Sequence, residues 1–245
     1  MLIDFFINLI ITIYFYLFLF LAAIINTILA IPLKLFSLKC NLVHLLLVQT
    51  GKFLLFISGC RIQIKKEFIP LQEKNYLIIS NHQSMFDILV INKILGNMEY
   101  RWIVKSSLFK LPFLGILMYL AGYISVDRKN KYKAYKSIQR AIKILRENSS
   151  IIIFPEGTRS TRDEILPFKS GSIKIAFSTG ADILPVVLKN TLYVKPRKSF
   201  MVNPMPIKAK ILKPVKIKGK HYSSQRKILN ALHQKVSNVY KNEMS

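Results

Sequence analysis

Tyr76-Leu-Ile-Ile-Ser80, then Asn81-His82-Gln83-Ser84-Met85-Phe86-Asp87, then Ile88-Leu-Val-Ile91, is the stretch that decides the fold. A short apolar run of strand length leads into a polar heptapeptide, and a second apolar run follows. Histidine and aspartate stand five positions apart. Were residues 82–87 one helix, five steps of about 100° would set the two side chains about 140° apart. They meet only if His82 lies on a strand-end loop and Asp87 in the first helical turn. Ser84 is a suitable N-cap, and Asp87 lies three residues later, as in a capping box. The stretch therefore reads strand, loop, helix. Taken alone, His-x4-Asp has two meanings. One is a loop histidine and a capping aspartate, a spacing common by chance. The other is a general base and its orienting carboxylate, able to activate a hydroxyl for attack on an acyl group.

Outward from this stretch the same alternation continues. Strands are expected over residues 61–65, 76–80, 101–104, 123–126, 150–154, 182–188 and 207–212. Helices are expected over 87–95, 113–121, 132–147 and 172–178. In the third of these Tyr135, Ile138, Ile142 and Leu145 follow a helical period, with lysines and arginines between them. A basic amphipathic helix is expected over 223–240, carrying Ile228, Leu229, Leu232, Val236 and Tyr240. The pattern predicts an α/β fold, a mixed sheet flanked by helices.

The N-terminal part differs in kind. Residues 5–33 carry no charged side chain, enough to cross a hydrocarbon core of about 30 Å. No basic n-region precedes them, so a retained helix is expected rather than a signal peptide, with a break or bend near Pro32. Lys34, Lys39, Lys52, Arg61, Lys65 and Lys66 follow, which predicts a cell-membrane protein with the remainder on the cytoplasmic side. Residues 41–60 are apolar but hold His44, Gln49, Gly51 and Lys52. They complete a bilayer hairpin, lie in the interface with His44 and Lys52 towards headgroups, or form a buried helix. The expected division is a two-helix membrane anchor over 1–60 and an α/β domain over 61–245.

The chain of 245 residues is 51% hydrophobic, with 37 Lys and Arg against 12 Asp and Glu, a formal charge of +25. Apolarity and positive charge together suit an anionic membrane face. Nucleic acid explains the charge but not the apolar N-terminus. Cys40 and Cys60, and the four histidines, show no metal-ligand or disulfide spacing.

A second constellation is Ile151-Ile-Ile-Phe-Pro-Glu-Gly-Thr-Arg-Ser160. Pro155 ends a buried strand. Gly157 permits a sharp turn and close approach to a ligand. Arg159 offers a planar fork for phosphate. The competing reading is a surface turn closed by a Glu156–Arg159 pair. Ligand groups in open α/β sheets gather beyond the carboxyl ends of strands, so His82, Asp87, Glu156 and Arg159 are expected in one cleft. Lys105 and Arg128 also follow strands. The apolar stretch 111–120 between them reads as core, or as the lining of an acyl-chain slot.

These blocks resemble the glycerolipid acyltransferases that act on 1-acyl-sn-glycerol-3-phosphate. Asn81 to Asp87 looks like the family's first block. Lys105, Pro112, Gly115, Gly122, Asp127 and Arg128 look like the second. Phe154 to Ser160 is similar to the third, and Ile183-Leu184-Pro185-Val186 to the fourth, with the proline following a short strand. Ser106-Ser107 stands where the family often carries a glutamate. The resemblance implies direct transfer from acyl-CoA or acyl-carrier protein to the sn-2 hydroxyl of lysophosphatidic acid, giving phosphatidic acid, without cofactor or metal. It makes His82 the base and Asp87 its orienter. Arg159 clamps phosphate, helped by Lys105 and Arg128, while Glu156, Gly157 and Thr158 bind substrate. Another lysophospholipid acceptor, or a non-catalytic basic membrane-surface or nucleic-acid-binding protein, are the alternatives.

Overall fold

A computed structural model describes residues 2–36, 41–96, 98–147 and 149–244. Lys39 and Cys40 lie outside the described residues. Seven strands form one sheet: β1 (Ile62–Lys66), β2 (Leu77–Ser80), β3 (Tyr100–Lys105), β4 (Ile124–Val126), β5 (Ser150–Ile153), β6 (Ile183–Lys189) and β7 (Ile207–Ile211). Their order is β1-β7-β6-β2-β5-β3-β4. All neighbours run parallel except β6 and β7. The sheet is therefore mixed, as expected, and every predicted strand is present within two residues.

The central strands are apolar throughout because both faces are covered. Ile78, Ile152 and Leu184 face one cluster with α3 (Phe86–Leu95) and α4 (Leu114–Leu120). Leu77, Ile79, Ile151 and Ile183 face the other, with α5 (Lys131–Glu147), α6 (Lys174–Thr179) and α8 (Gln225–Asn238). Burying each of these side chains is worth about 1.5–3 kcal/mol. On α5 the inward residues are Ala141, Ile142 and Leu145, whereas Tyr135 of the predicted stripe is exposed. Nothing in the hydrophobic pattern signalled the single-turn helix α7 (Thr191–Val194).

Pro185 corrects one expectation. It lies inside β6, opposite Ile79, rather than after the strand. Its side of β6 faces β7, where pairing begins only at Val186. There the Pro185 carbonyl accepts from Leu212 N at 3.0 Å, and the missing N–H costs only the reciprocal bond at the end of the β6–β7 ladder.

The N-terminal helices join the domain. α1 (Leu2–Phe36) runs through Pro32 without a break, and α2 (Asn41–Ile57) follows. Phe15 stacks on Phe86 with centroids 5.2 Å apart. Asn8 bonds Asn203, Thr12 accepts from Val202 N, and Asn26 bonds Thr50. These positions, with Ala30, make one helical stripe. The other faces of α1 expose Phe6, Ile13, Phe20 and Ile28. α2 buries Val43, Val48, Leu54 and Leu55 in the core shared with α3. His44 points inward against Tyr100 and Tyr123, not towards headgroups. One hydrophobic cluster thus spans residues on both sides of position 60.

Candidate active site

The sheet order places the key loops side by side. β2 leads to His82, its neighbour β5 leads to residues 154–160, and β3 and β4 follow outward. All four run in the same direction, so their carboxyl ends share one edge.

The heptapeptide is fastened residue by residue. Asn81, fully buried, donates its amide to the Leu188 carbonyl at 2.8 Å and accepts from Leu188 N at 2.9 Å. It thereby prolongs pairing with β6 beyond the end of β2. His82 gives its own N–H to Glu156 Oε1 at 2.7 Å, and its carbonyl accepts from Ser160 N at 2.8 Å. Ser84 Oγ donates to the Lys195 carbonyl at 2.9 Å.

Asp87 is fully buried in the first turn of α3. Its Oδ2 accepts from Gln83 N at 2.7 Å and Ser84 N at 2.9 Å, and lies 2.8 Å from His82 Nδ1. The bond to Ser84 N is the return arm of the expected capping box. Ser84 Oγ accepts instead from Phe86 N at 3.3 Å, one residue earlier than that motif predicts. Capping and orienting are thus one arrangement: the carboxylate that closes the helix start also faces the histidine.

That convergence sets the imidazole. Oδ2 is an acceptor for N–H groups, so Nδ1 carries the proton and Nε2 keeps a lone pair. The ring stacks on Phe154, with centroids 3.8 Å apart and planes 8° from parallel. The side chain is 17% exposed, and Nε2 has no protein partner among the described residues and is not sealed from solvent. The product is a fixed base with its open nitrogen at the strand-end edge.

Glu156 departs from its expected task. It is 2% exposed, and both oxygens are occupied, Oε1 by His82 N and Oε2 by Leu166 N at 2.9 Å. Burial pushes its carboxyl up to about 8, against the pull of those two N–H donors. Glu156 is therefore a brace between two loops rather than a group facing substrate. Among the described residues no ion pair joins it to Arg159, which removes the closed-turn reading of this stretch.

Gly157 takes φ +73°, and a Cβ there would stand 3.0 Å from Lys169 Cε. The turn and the lysine packed on it both require glycine. Thr158 is exposed and Arg159 half-buried on the same loop. Lys105 ends β3 beside Val126, and Arg128 follows two residues later; both are exposed. They stand one and two strands beyond β5, at about 4.8 Å per step. The structure therefore joins His82, Asp87 and Glu156 by hydrogen bonds, with Arg159 on the same loop as Glu156, and sets Lys105 and Arg128 along that edge. Around 111–120 the outcome is divided: Leu117 and Met118 are core, while Leu111, Ile116 and Tyr119 are exposed next to α1. Gly115 is held by backbone contact, since a Cβ there would meet the Phe109 carbonyl oxygen at 2.1 Å.

Three participants carried no sequence signal of their role. Phe154 fixes the imidazole plane. Lys195, mostly buried, anchors Ser84 through its carbonyl, and burial and nearby Arg159 lower its ammonium pKa. Tyr240, from the C-terminal end, reaches Gln83.

Known proteins resemble this chain in sequence and in fold. A model of the acyltransferase family matches residues 61–189. A 1-acyl-sn-glycerol-3-phosphate acyltransferase of Cocos nucifera is 36% identical over 168 residues, 68% of this chain and 54% of that one. One of Borreliella burgdorferi is 38% identical, covering 57% of this chain and 56% of its own. The chain thus spans about half the length of the curated relatives it matches. The crystal structure of the 1-acyl-sn-glycerophosphate acyltransferase of Thermotoga maritima superposes with a TM-score of 0.83 at 24% identity, covering 99% of this chain and 98% of that one. That likeness establishes the fold, and the family match, over more than half of the sequence, establishes the lineage: the chain belongs to the acyltransferase family.

Proposed function

We propose that the chain transfers a fatty acyl group from an acyl thioester to the sn-2 hydroxyl of 1-acyl-glycerol-3-phosphate, forming phosphatidic acid. The observation that carries the chemistry is the His82–Asp87 contact of 2.8 Å, with Nε2 open to solvent. Nε2 takes the hydroxyl proton as the oxygen attacks the thioester carbonyl. Asp87 stabilises the imidazolium that forms, and the proton passes to the leaving thiolate. General-base assistance of this kind contributes about 10²–10⁴-fold. Arg159, Lys105 and Arg128 supply cations along the same edge for the acceptor phosphate. The donor is acyl-CoA or acyl-carrier protein. The relatives' names support this acceptor.

The same reading accounts for α1. At 1.5 Å per residue its 35 residues extend about 50 Å, longer than a hydrocarbon core, and it is apolar enough to cross one. Yet it touches the domain from Asn8 to Ala30. A helix bound along the domain over that length sits beside the bilayer surface, with its exposed aromatics in the lipid. The basic residues after it suit the anionic cytoplasmic leaflet, which supports the cytoplasmic side for the domain.

The test supplies oleoyl-CoA and oleoyl-acyl-carrier protein with lysophosphatidate, lysophosphatidylcholine and monoacylglycerol. The expected result is preference for lysophosphatidate, with Arg159→Ala raising its KM about 10-fold or more and leaving the neutral acceptor unchanged. Equal use of all three acceptors by both proteins would refute the acceptor assignment.

A further inference from the structure

Gln83 lies between the two residues that do the chemistry, and its side chain is held from far away in the sequence. It is fully buried. Its amide Nε2 donates to the Arg162 carbonyl at 3.2 Å, and its Oε1 accepts from the Tyr240 hydroxyl at 3.0 Å. Its backbone N–H is one of the three donors that converge on Asp87. Tyr240 is 157 residues away, on the π-helical turn Val239–Glu243 that extends α8.

Tyr240 is 1% exposed and fixed on every side. Lys189 Nζ lies 4.9 Å from its ring centroid and donates to its carbonyl at 3.2 Å. The hydroxyl's single proton is shared between Gln83 Oε1 and the Asp163 carboxylate, which faces Tyr193 as well. Asp163, in turn, belongs to the segment that follows the phosphate-suited loop. Its neighbour Arg162 bonds Ser160 through both its N–H and its carbonyl, and Ser160 N holds the His82 carbonyl. The phenol is thus the point where the His82 loop, the loop after β5 and the C-terminal helix are tied together.

Packing alone does not account for that hydroxyl. A phenylalanine would fill the same space, and a buried O–H is retained only where it has partners. Both partners here belong to the loops that carry the site. We infer that Tyr240 is a positioning residue for acyl transfer: its hydroxyl holds Gln83, so the 82–84 backbone keeps Asp87 turned onto His82. The inference rests on the acyl-transfer reading for its kinetic consequence, though not for its structural one. Tyr240 touches no reacting atom. It acts through Gln83, and its loss changes turnover rather than substrate affinity.

The test compares Tyr240→Phe, which keeps the ring, its burial and the Lys189 contact, with the unsubstituted chain. We expect kcat to fall about 10-fold, the scale of one buried hydrogen bond expressed in rate, with KM for both substrates within about twofold. Amide exchange at Gln83 and Ser84 should accelerate by about 10-fold. In a Gln83→Met background the same change should lower kcat by less than about twofold, because its partner is already gone. Val236→Ala, one turn earlier in α8, loosens the helix without touching Gln83 and calibrates plain destabilisation. Wild-type kcat and exchange in Tyr240→Phe, a full additional loss in Gln83→Met, or an equal kcat loss from Val236→Ala would each overturn the inference. The exchange measurement needs no acceptor. A wild-type chain inactive with every acceptor would instead remove the acyl-transfer reading and leave Tyr240 to be judged by exchange.

Discussion

Replacing Asp87 by asparagine isolates charge from shape at the base. The single carbonyl oxygen of the new amide can stand where Oδ2 now stands, keeping the N–H groups of Gln83 and Ser84 and the Nδ1 contact of 2.8 Å. What disappears is the negative charge beside the imidazolium formed in the transition state. With the imidazolium charge spread over the ring, the two charges are about 4 Å apart, worth about 4 kcal/mol at an effective dielectric constant near 20. At about 1.4 kcal/mol per decade, kcat should fall about 10³-fold. KM should stay within about threefold, because no Asp87 atom is exposed to meet substrate. Stability should not fall, since a fully buried charge is being neutralised with its partners kept. The assay is release of free thiol from acyl-CoA with lysophosphatidate, alongside thermal melting of both proteins. A kcat within about 10-fold of wild type, at an unchanged melting temperature, would refute the base-and-orienter geometry.

Two further perturbations test the brace and the lipid-facing helix. Glu156→Gln must turn an NH₂ towards one of the two N–H donors, His82 or Leu166, so it should cost about 1–3 kcal/mol and loosen the His82 loop. Its pH dependence is signed. Burial raises the carboxyl from 4.5 to about 8, so the folded chain holds more protons than the unfolded one between those values. The stability this group contributes is fully present below about 4.5 and lost as pH rises through 8. In urea titrations the gap between wild type and Glu156→Gln should therefore narrow from pH 5 to pH 8, and a constant or widening gap would contradict the assignment. Aspartates at Phe6, Ile13 and Phe20, each more than half exposed and seven residues apart, should abolish co-sedimentation with anionic vesicles while preserving the fold. Each buried side chain of this size contributes about 1.5–3 kcal/mol, so losing three weakens binding more than about 10²-fold. Unchanged sedimentation would show that α1 does not face lipid.

Local features of the sequence determined much of this protein. The apolar runs at 77–80 and 150–153 are buried on both faces, and a chain of four such residues between polar loops has few other solutions. His82 before a helix start and Asp87 inside it can meet only across that boundary, a constraint visible in five residues. Pro155 and Gly157 announced a strand end and a turn, and the turn is there at φ +73°. The tertiary structure alone decided the rest, because the deciding bonds join residues far apart in sequence. Glu156 reads like a substrate group beside Arg159, but the backbones of His82 and Leu166 claim both its oxygens. Asn81 reads as a loop asparagine, yet it extends pairing with β6 at a separation of 107 residues. Pro185 falls inside the strand expected over 182–188, and only the folded sheet shows that its missing N–H falls at the end of the β6–β7 ladder. α1 reads as a spanning helix by composition, while its polar stripe from Asn8 to Thr27 acquires meaning only against Asn203, Val202 and Thr50. Periodicity reports which way a side chain faces along its own element. Only the fold reports what it faces.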